Sequence, residues 1–260
     1  FVKELEYVFQ GNVWYAALET YEQRRMVMNF PDFEKKWIVN IVKNRSLFDS
    51  LFIEADVVLC HDRNFYLQMK ERLSRGKLTF YFSERWFKDP YGKVRLFNPR
   101  MLKLWYEFYH MSKYPNFFYL AQGKYAADDF KFMRICSHRI LNFGYFPCIQ
   151  QHNKGEYLLP QGKINILWCG RMLKCKNVPV LVKSFINIAK IRANVHLTIV
   201  GQGECEKIVL QLISDYEDII THRKFLPTDE VRFLMNQADI YVFPSNGREG
   251  WGAVINEAMA

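Results

Sequence analysis

Two carboxylates, Glu249 and Glu257, stand eight residues apart in the stretch Asp239–Ala260, DIYVFPSNGREGWGAVINEAMA, around a glycine-flanked turn. Gly250 and Gly252 let a backbone come close to a ligand, and the free N–H groups opening the helix that follows face an anion. Trp251 stands between them, with Ser245 just upstream. A carboxylate accepts from hydroxyls, so one glutamate in the loop and one about two helical turns on suit a diphosphate flanked by a sugar and a ribose. The plain alternative is two solvated glutamates, and the surrounding residues decide between them.

The elements that must position this pair follow from periodicity. Ile240 to Phe243 reads as a short buried strand ended by Pro244 and Ser245, and a helix is expected from Gly252 onward. Upstream, strand-like runs at Ile164 to Cys169, Val195 to Val200 and Ile219 to Phe225 alternate with helical patterns at Val178 to Ile191, Glu204 to Ile213 and Thr228 to Asn236. This βαβ alternation predicts a doubly wound parallel α/β sheet, whose ligands bind beyond the carboxyl ends of the strands. Arg171 and Lys176 follow the first strand, where a guanidinium and an ammonium suit a pyrophosphate that gains charge as it leaves. Lys174 is expected to face solvent.

Three blocks carry a resemblance to a known family. PS, EGWG and NEAMA resemble the C-terminal signature of glycosyltransferase family 4, retaining enzymes of GT-B fold, with Glu249 and Glu257 as its E-x7-E element. ILWCGRMLKCKN (Ile166 to Asn177) is similar to the family's strand followed by G-R-x4-K, with Gly170 at the strand end and Arg171 and Lys176 on the donor's diphosphate. TIVGQGE resembles its strand-end turn, with Gly201 and Gly203 beside the donor. The resemblance implies two Rossmann-like domains facing across a cleft, a nucleotide-sugar donor held by the second, Glu249 orienting the sugar, Glu257 the ribose and Phe225 bordering the base. It also implies missing pieces: a first βα unit with a glycine-containing loop before Phe1, and further strands and a returning helix after Ala260.

The N-terminal part, residues 1–160, reads as a second, imperfect α/β domain that takes the acceptor, and residues 161–260 as the donor domain. Candidate strands are Val13 to Leu18, Ala55 to Cys60, Leu78 to Ser83 and Phe117 to Ala121, with helices at Asn64 to Leu73 and Ala126 to Ile135. The polar stretch Gln150 to Gly162 is the expected joint. FYFSERWFK (Phe80 to Lys88) and NFGYFP (Asn142 to Pro147) resemble family members of bacterial capsule and exopolysaccharide assembly. Where many relatives place an acceptor-side histidine, this chain has Ser83, Glu84 and Arg85. Glu84 is thereby the candidate to contact the acceptor hydroxyl or the sugar, Arg85 to hold charge nearby, and His61 in LCHDRN the other acceptor-side candidate; the alternative for Glu84 and Arg85 is an exposed ion pair.

Charge is uneven: residues 1–160 hold 24 Lys and Arg against 17 Asp and Glu, and the remainder 12 against 10, within a total net charge of +9. A basic acceptor domain favours an anionic acceptor such as a lipid-linked pyrophosphoryl saccharide. The helical candidate Pro99 to Lys113 carries Leu102, Trp105, Phe108 and Tyr109 among basic residues, as either a membrane-facing or a core stripe. No nucleic-acid motif accompanies the high pI. Six cysteines occur without C-x-x-C spacing, which argues against zinc and disulfides and for a cytoplasmic enzyme, peripheral at most on the membrane. No cofactor and no metal are expected, since side chains supply the positive charge and no D-x-D arrangement is present. Other readings are a related GT-B phosphorylase or epimerase, or a GT-B-like sugar-nucleotide-binding protein without chemistry. The donor sugar, the nucleotide, the acceptor and the oligomeric state are not legible.

Overall fold

The computed structural model describes residues 2–10, 12–17, 38–146 and 155–260. Contacts divide these into two compact units, residues 2–17 with 38–146, and residues 155–260.

The first unit runs α1 (Val2–Val8), β1 (Tyr15–Ala17), β2 (Ile38–Asn40), α2 (Arg45–Glu54), β3 (Val57–Cys60), α3 (Tyr66–Ser74), β4 (Leu78–Ser83), α4 (Pro99–Met111), β5 (Phe117–Gln122), α5 (Lys124–Phe132) and β6 (Ile140–Phe143). Strands β3 to β6 form one parallel sheet in chain order, while β1 and β2 pair separately, also in parallel. Four of these elements were not anticipated from periodicity: α1, β2, α2 and β6. β2 has three residues and β6 four, too short for an alternation to register. α2 carries Leu47, Phe48, Leu51 and Phe52 at helical spacing, a signal that was present and overlooked. The last residue of the expected strand Val13 to Leu18 lies outside the described residues.

Aromatic rings fill the core of this unit. Phe108, Phe117, Tyr119 and Phe130 are fully buried, and Tyr119 stacks on Phe130 with ring centres 3.4 Å apart. Helix α4 faces this core with Leu104, Phe108 and Met111, and Trp105 and Tyr109 pack against it. The stripe Leu102, Trp105, Phe108 and Tyr109 is therefore mainly core; of the four, only Leu102 is exposed.

One buried cation joins the elements. Arg72, on α3, is wholly buried and donates to the carbonyls of Phe52 (2.9 Å), Ile53 (3.1 Å), Asp56 (3.0 Å) and Leu78 (2.9 Å) and to Thr79 Oγ1 (3.1 Å). The first two carbonyls end α2, where helix partial charge is negative. Burial lowers the guanidinium pKa to about 10, which keeps the cation at neutral pH.

The second unit runs β7 (Ile164–Cys169), α6 (Val178–Ala189), β8 (Val195–Val200), α7 (Glu206–Ile213), β9 (Ile220–Arg223), α8 (Thr228–Gln237), β10 (Ile240–Tyr241) and α9 (Ala253–Met259). All strands are parallel, in the order β10-β7-β8-β9. The chain builds outward from β7 to β9 and then returns to the far side of β7, so the strand order reverses between β7 and β10. Alternate residues of β7 point to opposite faces. Ile166 and Trp168 pack with α6 and α7, while Leu167 and Cys169 pack with α8 and α9. Both faces of β7 and β8 are covered, which is why these strands read as continuous apolar runs. β10, expected as a buried strand over Ile240 to Phe243, is instead a two-residue edge strand with Ile240 exposed, because only β7 flanks it.

Within the stretch Gln150 to Gly162, residues 150–154 lie outside the described residues. Leu159 is buried in the core of the second unit, and the Glu156 N–H donates to Glu230. Cys60, Cys136, Cys169 and Cys205 are buried and Cys175 half-buried, all as free thiols; Cys148 lies outside the described residues. No helix among the described residues is long and apolar enough to cross a membrane.

Replacing Arg72 leaves its buried carbonyl acceptors without donors, so Arg72→Met is expected to cost about 3 kcal/mol or more. Urea denaturation followed by circular dichroism checks this; a loss within a few tenths of a kcal/mol would mean that the arginine is not a keystone.

Candidate functional site

The site is built from the loops that leave β7, β8 and β10. The chain leaving β7 passes against the chain leaving β8 at main-chain distance: Gly170 N donates to Val200 O (3.0 Å), Met172 N to Gln202 O (2.9 Å), and Cys205 N to Met172 O (2.9 Å). A Cβ at position 201 would stand 1.9 Å from the Gly170 carbonyl oxygen, and one at 203 would stand 3.0 Å from Met172 N. Gly201 also adopts φ +139°, a region that side chains disfavour. The two glycines of GQG thus serve the approach of one loop to the other. Glu204 accepts from the backbone N–H of Lys174 and holds the next turn.

That turn, a single 3-10 turn over Lys174–Lys176, ends at Asn177, which takes a left-handed conformation before α6 begins. Asn is one of the few residues that tolerate it. The Asn177 amide donates to Pro244 O (2.9 Å) and Asn246 N donates to Cys175 O (2.9 Å), so the loops after β7 and β10 are tied in both directions. Asn177 and Asn246 were missed as positioning residues, although Asn177 closes the GRMLKCKN block.

The charged side chains follow from this frame. Lys176 Nζ forms an ion pair with Glu249 Oε2, both mostly buried, and lies 5.0 Å from the centre of the Phe243 ring. Glu249 N donates to Asn246 O (3.0 Å), which fixes the turn that carries it. Gly252 caps α9 at φ +76°; a side chain there would strike Phe243. Gly250 lies in the preceding turn, and Trp251 Nε1 donates to Asn256 Oδ1 (3.1 Å).

Glu257, on α9, is half-buried with no hydrogen-bond or ion-pair partner among the described residues. Its field reaches the end of β7. Burial raises the Cys169 thiol to about 11, the Tyr241 bond lowers it, Glu257 raises it and Lys176 lowers it. Tyr241 OH donates to Cys169 O (3.2 Å), and its pKa is raised chiefly by burial, with Glu257 contributing. Arg171 is exposed, with no carboxylate paired to it among the described residues, and Lys174 is likewise exposed. Ser245 Oγ is buried without a hydrogen-bond partner among the described residues. Phe225 follows β9 and is exposed. The structure therefore gathers Gly170, Arg171, Lys176, Ser245, Glu249 and Glu257 around the ends of β7 and β10, where the strand order reverses. A crevice at such a reversal is where open α/β sheets bind ligands.

The first unit has its own strand-end group. Ser83 Oγ is linked to Tyr119 OH (3.1 Å) and accepts from Trp86 Nε1 (3.2 Å). Glu84 and Arg85 do not pair with each other, because each meets a nearer opposite charge. Lys88 Nζ donates to Glu84 Oε2 (2.7 Å) and Tyr145 OH to Oε1 (3.4 Å), whereas Arg85 Nε lies 3.9 Å from Asp129 Oδ2. Asp129, buried in the second half of α5, accepts from Trp86 N (2.8 Å) and Phe87 N (3.0 Å) and sets the path of this loop. Burial raises its pKa, against the two backbone donors and Arg85. Nothing in its sequence surroundings marked it. His61 is exposed, its ring 5.4 Å from that of Phe82.

Comparisons with known proteins bear on the fold and on the type of the second unit. Residues 163–260 match the family model described as Glycosyl transferases group 1. Over 122 residues, 45% of this chain, the sequence is 30% identical to D-inositol 3-phosphate glycosyltransferase of Arthrobacter sp. (strain FB24), of which the match covers 29%. The structure is similar to that of Anabaena HepE in complex with UDP, with a TM-score of 0.64 and 14% identity over 82% of this chain and 60% of the other. It is also similar to the pneumococcal O-GlcNAc transferase GtfA in complex with UDP and GlcNAc, with a TM-score of 0.57 and 15% identity over 83% and 42% of the two chains. The chain thus spans less than two thirds of the length of each of these proteins. The fold is the Rossmann-like GT-B type.

Because the Gly170 carbonyl occupies the space of a side chain at 201, Gly201→Ala is expected to cost about 3 kcal/mol or more. Gly162, at φ +72° with open space around it, is the control, and Gly162→Ala should cost about 1 kcal/mol from backbone strain. Thermal unfolding of both variants checks the contrast, and equal losses would refute the close-approach account.

Proposed function

We propose that this chain, whose residues 163–260 are of glycosyltransferase group 1 type, belongs to a retaining glycosyltransferase. It would move a sugar from a nucleotide diphosphate to a saccharide or lipid-linked saccharide in cell-surface polysaccharide assembly. The observation that carries the reading is the convergence of Arg171, Lys176, Glu249 and Glu257 on the ends of β7 and β10. In this reading Arg171 and Lys176 stabilise the leaving diphosphate, which gains charge as its bond to the sugar breaks. Glu249 orients the sugar while restraining Lys176, and Glu257 accepts from the ribose hydroxyls. Phe225 borders the base. The acceptor oxygen attacks on the face from which the phosphate departs, and that phosphate takes the acceptor's proton, so no nucleophilic carboxylate is needed. The reading assigns no role to a metal, because two side-chain cations supply the charge.

UDP is the first nucleotide to test, since HepE and GtfA were each solved with it. The excess of basic residues in 1–160 supports an anionic acceptor. Glu84, held by Lys88 and Tyr145, is the group assigned to the acceptor side, with Ser83 and Arg85 beside it in the chain and His61 against Phe82.

Calorimetric titration with UDP, GDP and ADP is expected to show saturable binding of UDP. Arg171→Ala and Glu257→Ala should each weaken it about tenfold or more, as loss of a charge-assisted hydrogen bond implies. A folded chain that binds no nucleotide, or variants that bind as the parent does, would overturn the donor-site assignment.

A further inference from the structure

After β4 the first unit turns an apolar ridge outward. A 3-10 helix spans Gly92–Phe97, with Tyr91 as its N-cap residue. At three residues per turn, side chains at i and i+3 eclipse one another. Tyr91, Val94 and Phe97 therefore stand in one row, 68%, 64% and 84% exposed, while Leu96 packs against the core. Helix α4 follows at once and exposes Leu102 and Tyr106 one turn apart, 47% and 57%. Lys93 rests its ammonium 4.0 Å from the centre of the Phe132 ring, itself half exposed, and so brings another apolar group beside the row.

The same segment is uniformly basic. From Tyr91 to Tyr106 the sequence carries Lys93, Arg95, Arg100 and Lys103 and no Asp or Glu. The first carboxylate beyond it is Glu107, which lies 3.8 Å from Lys103. Apolar side chains exposed singly need no explanation. Three in a row, with Lys93 and Arg95 between them and Arg100 just beyond, have a common physical use: the apolar groups enter the headgroup and acyl boundary of a bilayer while the cations meet lipid phosphates. Side chains this exposed protrude, which fits a deformable surface better than the flat or grooved face of a protein. Tyr91 and Tyr106 add the amphipathic rings suited to that boundary.

We propose that the surface formed by Tyr91, Val94 and Phe97, with Lys93, Arg95 and Arg100 around them, docks on an anionic lipid bilayer. It agrees with a lipid-linked acceptor, but it stands on the ridge and its charge, so vesicle binding and nucleotide binding succeed or fail separately.

Flotation of the chain with vesicles of phosphatidylcholine alone, and of phosphatidylcholine with phosphatidylglycerol, tests this. The chain should float only with the anionic vesicles, and less as salt rises. The paired substitution Val94→Ser with Phe97→Ser should lower partitioning about tenfold or more, and Arg95→Glu with Arg100→Glu should do the same. Ile191→Ser, at an 84% exposed apolar position in the second unit, should float as the parent does. Circular dichroism and UDP titration show whether each variant is folded. Absence of flotation by the folded parent would overturn the proposal, as would undiminished flotation of the Val94→Ser, Phe97→Ser variant. A dimer in equilibrium sedimentation that Phe97→Ser dissolves, with no vesicle binding, would assign the ridge to a second copy of the chain instead.

Discussion

The Gly170 carbonyl lies where a side chain at position 201 would begin, and the rest of the second unit's site depends on that contact. Main-chain bonds from Gly170, Met172 and Cys205 lock the two strand-end loops together only because no Cβ intervenes. With the loop after β7 fixed against that after β8, the turn at Lys174–Lys176 has one place to go, and Asn177 hands it on to the loop after β10. Three loops distant in sequence are thus stitched by backbone and amide hydrogen bonds before any charged side chain is considered. Such bonds orient groups, since each has a short range and a preferred angle.

The charges occupy that frame in unequal states. Lys176 and Glu249 are mostly buried and matched to each other, so neither is an uncompensated charge. Arg171 stays in solvent, and Glu257 lies half-buried without a partner among the described residues, close enough to the end of β7 to raise Cys169 and Tyr241. A restrained pair beside unsatisfied groups of both signs is an arrangement ready for a ligand that has both phosphates and hydroxyls. The cost of leaving Glu257 open is moderated by its remaining contact with water.

The first unit applies the same principle with different residues. Arg72 gathers carbonyls from the end of α2 and the start of β4. Asp129 gathers the N–H groups of Trp86 and Phe87. In each case one buried charged side chain satisfies main-chain groups that a bend in the chain leaves open, which would otherwise be costly. The loop that carries Ser83, Glu84 and Arg85 is consequently held by Asp129 as well as by the bonds of Ser83 with Tyr119 and Trp86.

The local elements of the second unit were legible from its sequence alone, because periodicity, strand-end glycines and the E-x7-E spacing are all local properties of the chain. Strands β2 and β6 were not legible, since three or four residues with no clear turn signals around them display too little of a period. In α4 the sequence contained two apolar stripes, and packing chose Leu104, Phe108 and Met111 for the core and left Leu102 and Tyr106 outside. The partners of Arg85, Lys176 and Glu249 were equally out of reach, whereas Glu84 meets Lys88 only four residues on. The distant pairs depend on which segments meet, and that follows from long-range pairing such as that of β10 with β7, across more than seventy residues. Sequence determined which residues were able to do chemistry; only the tertiary structure decided which of them stand together, because proximity between distant segments comes from strand order and core packing, not from spacing along the chain.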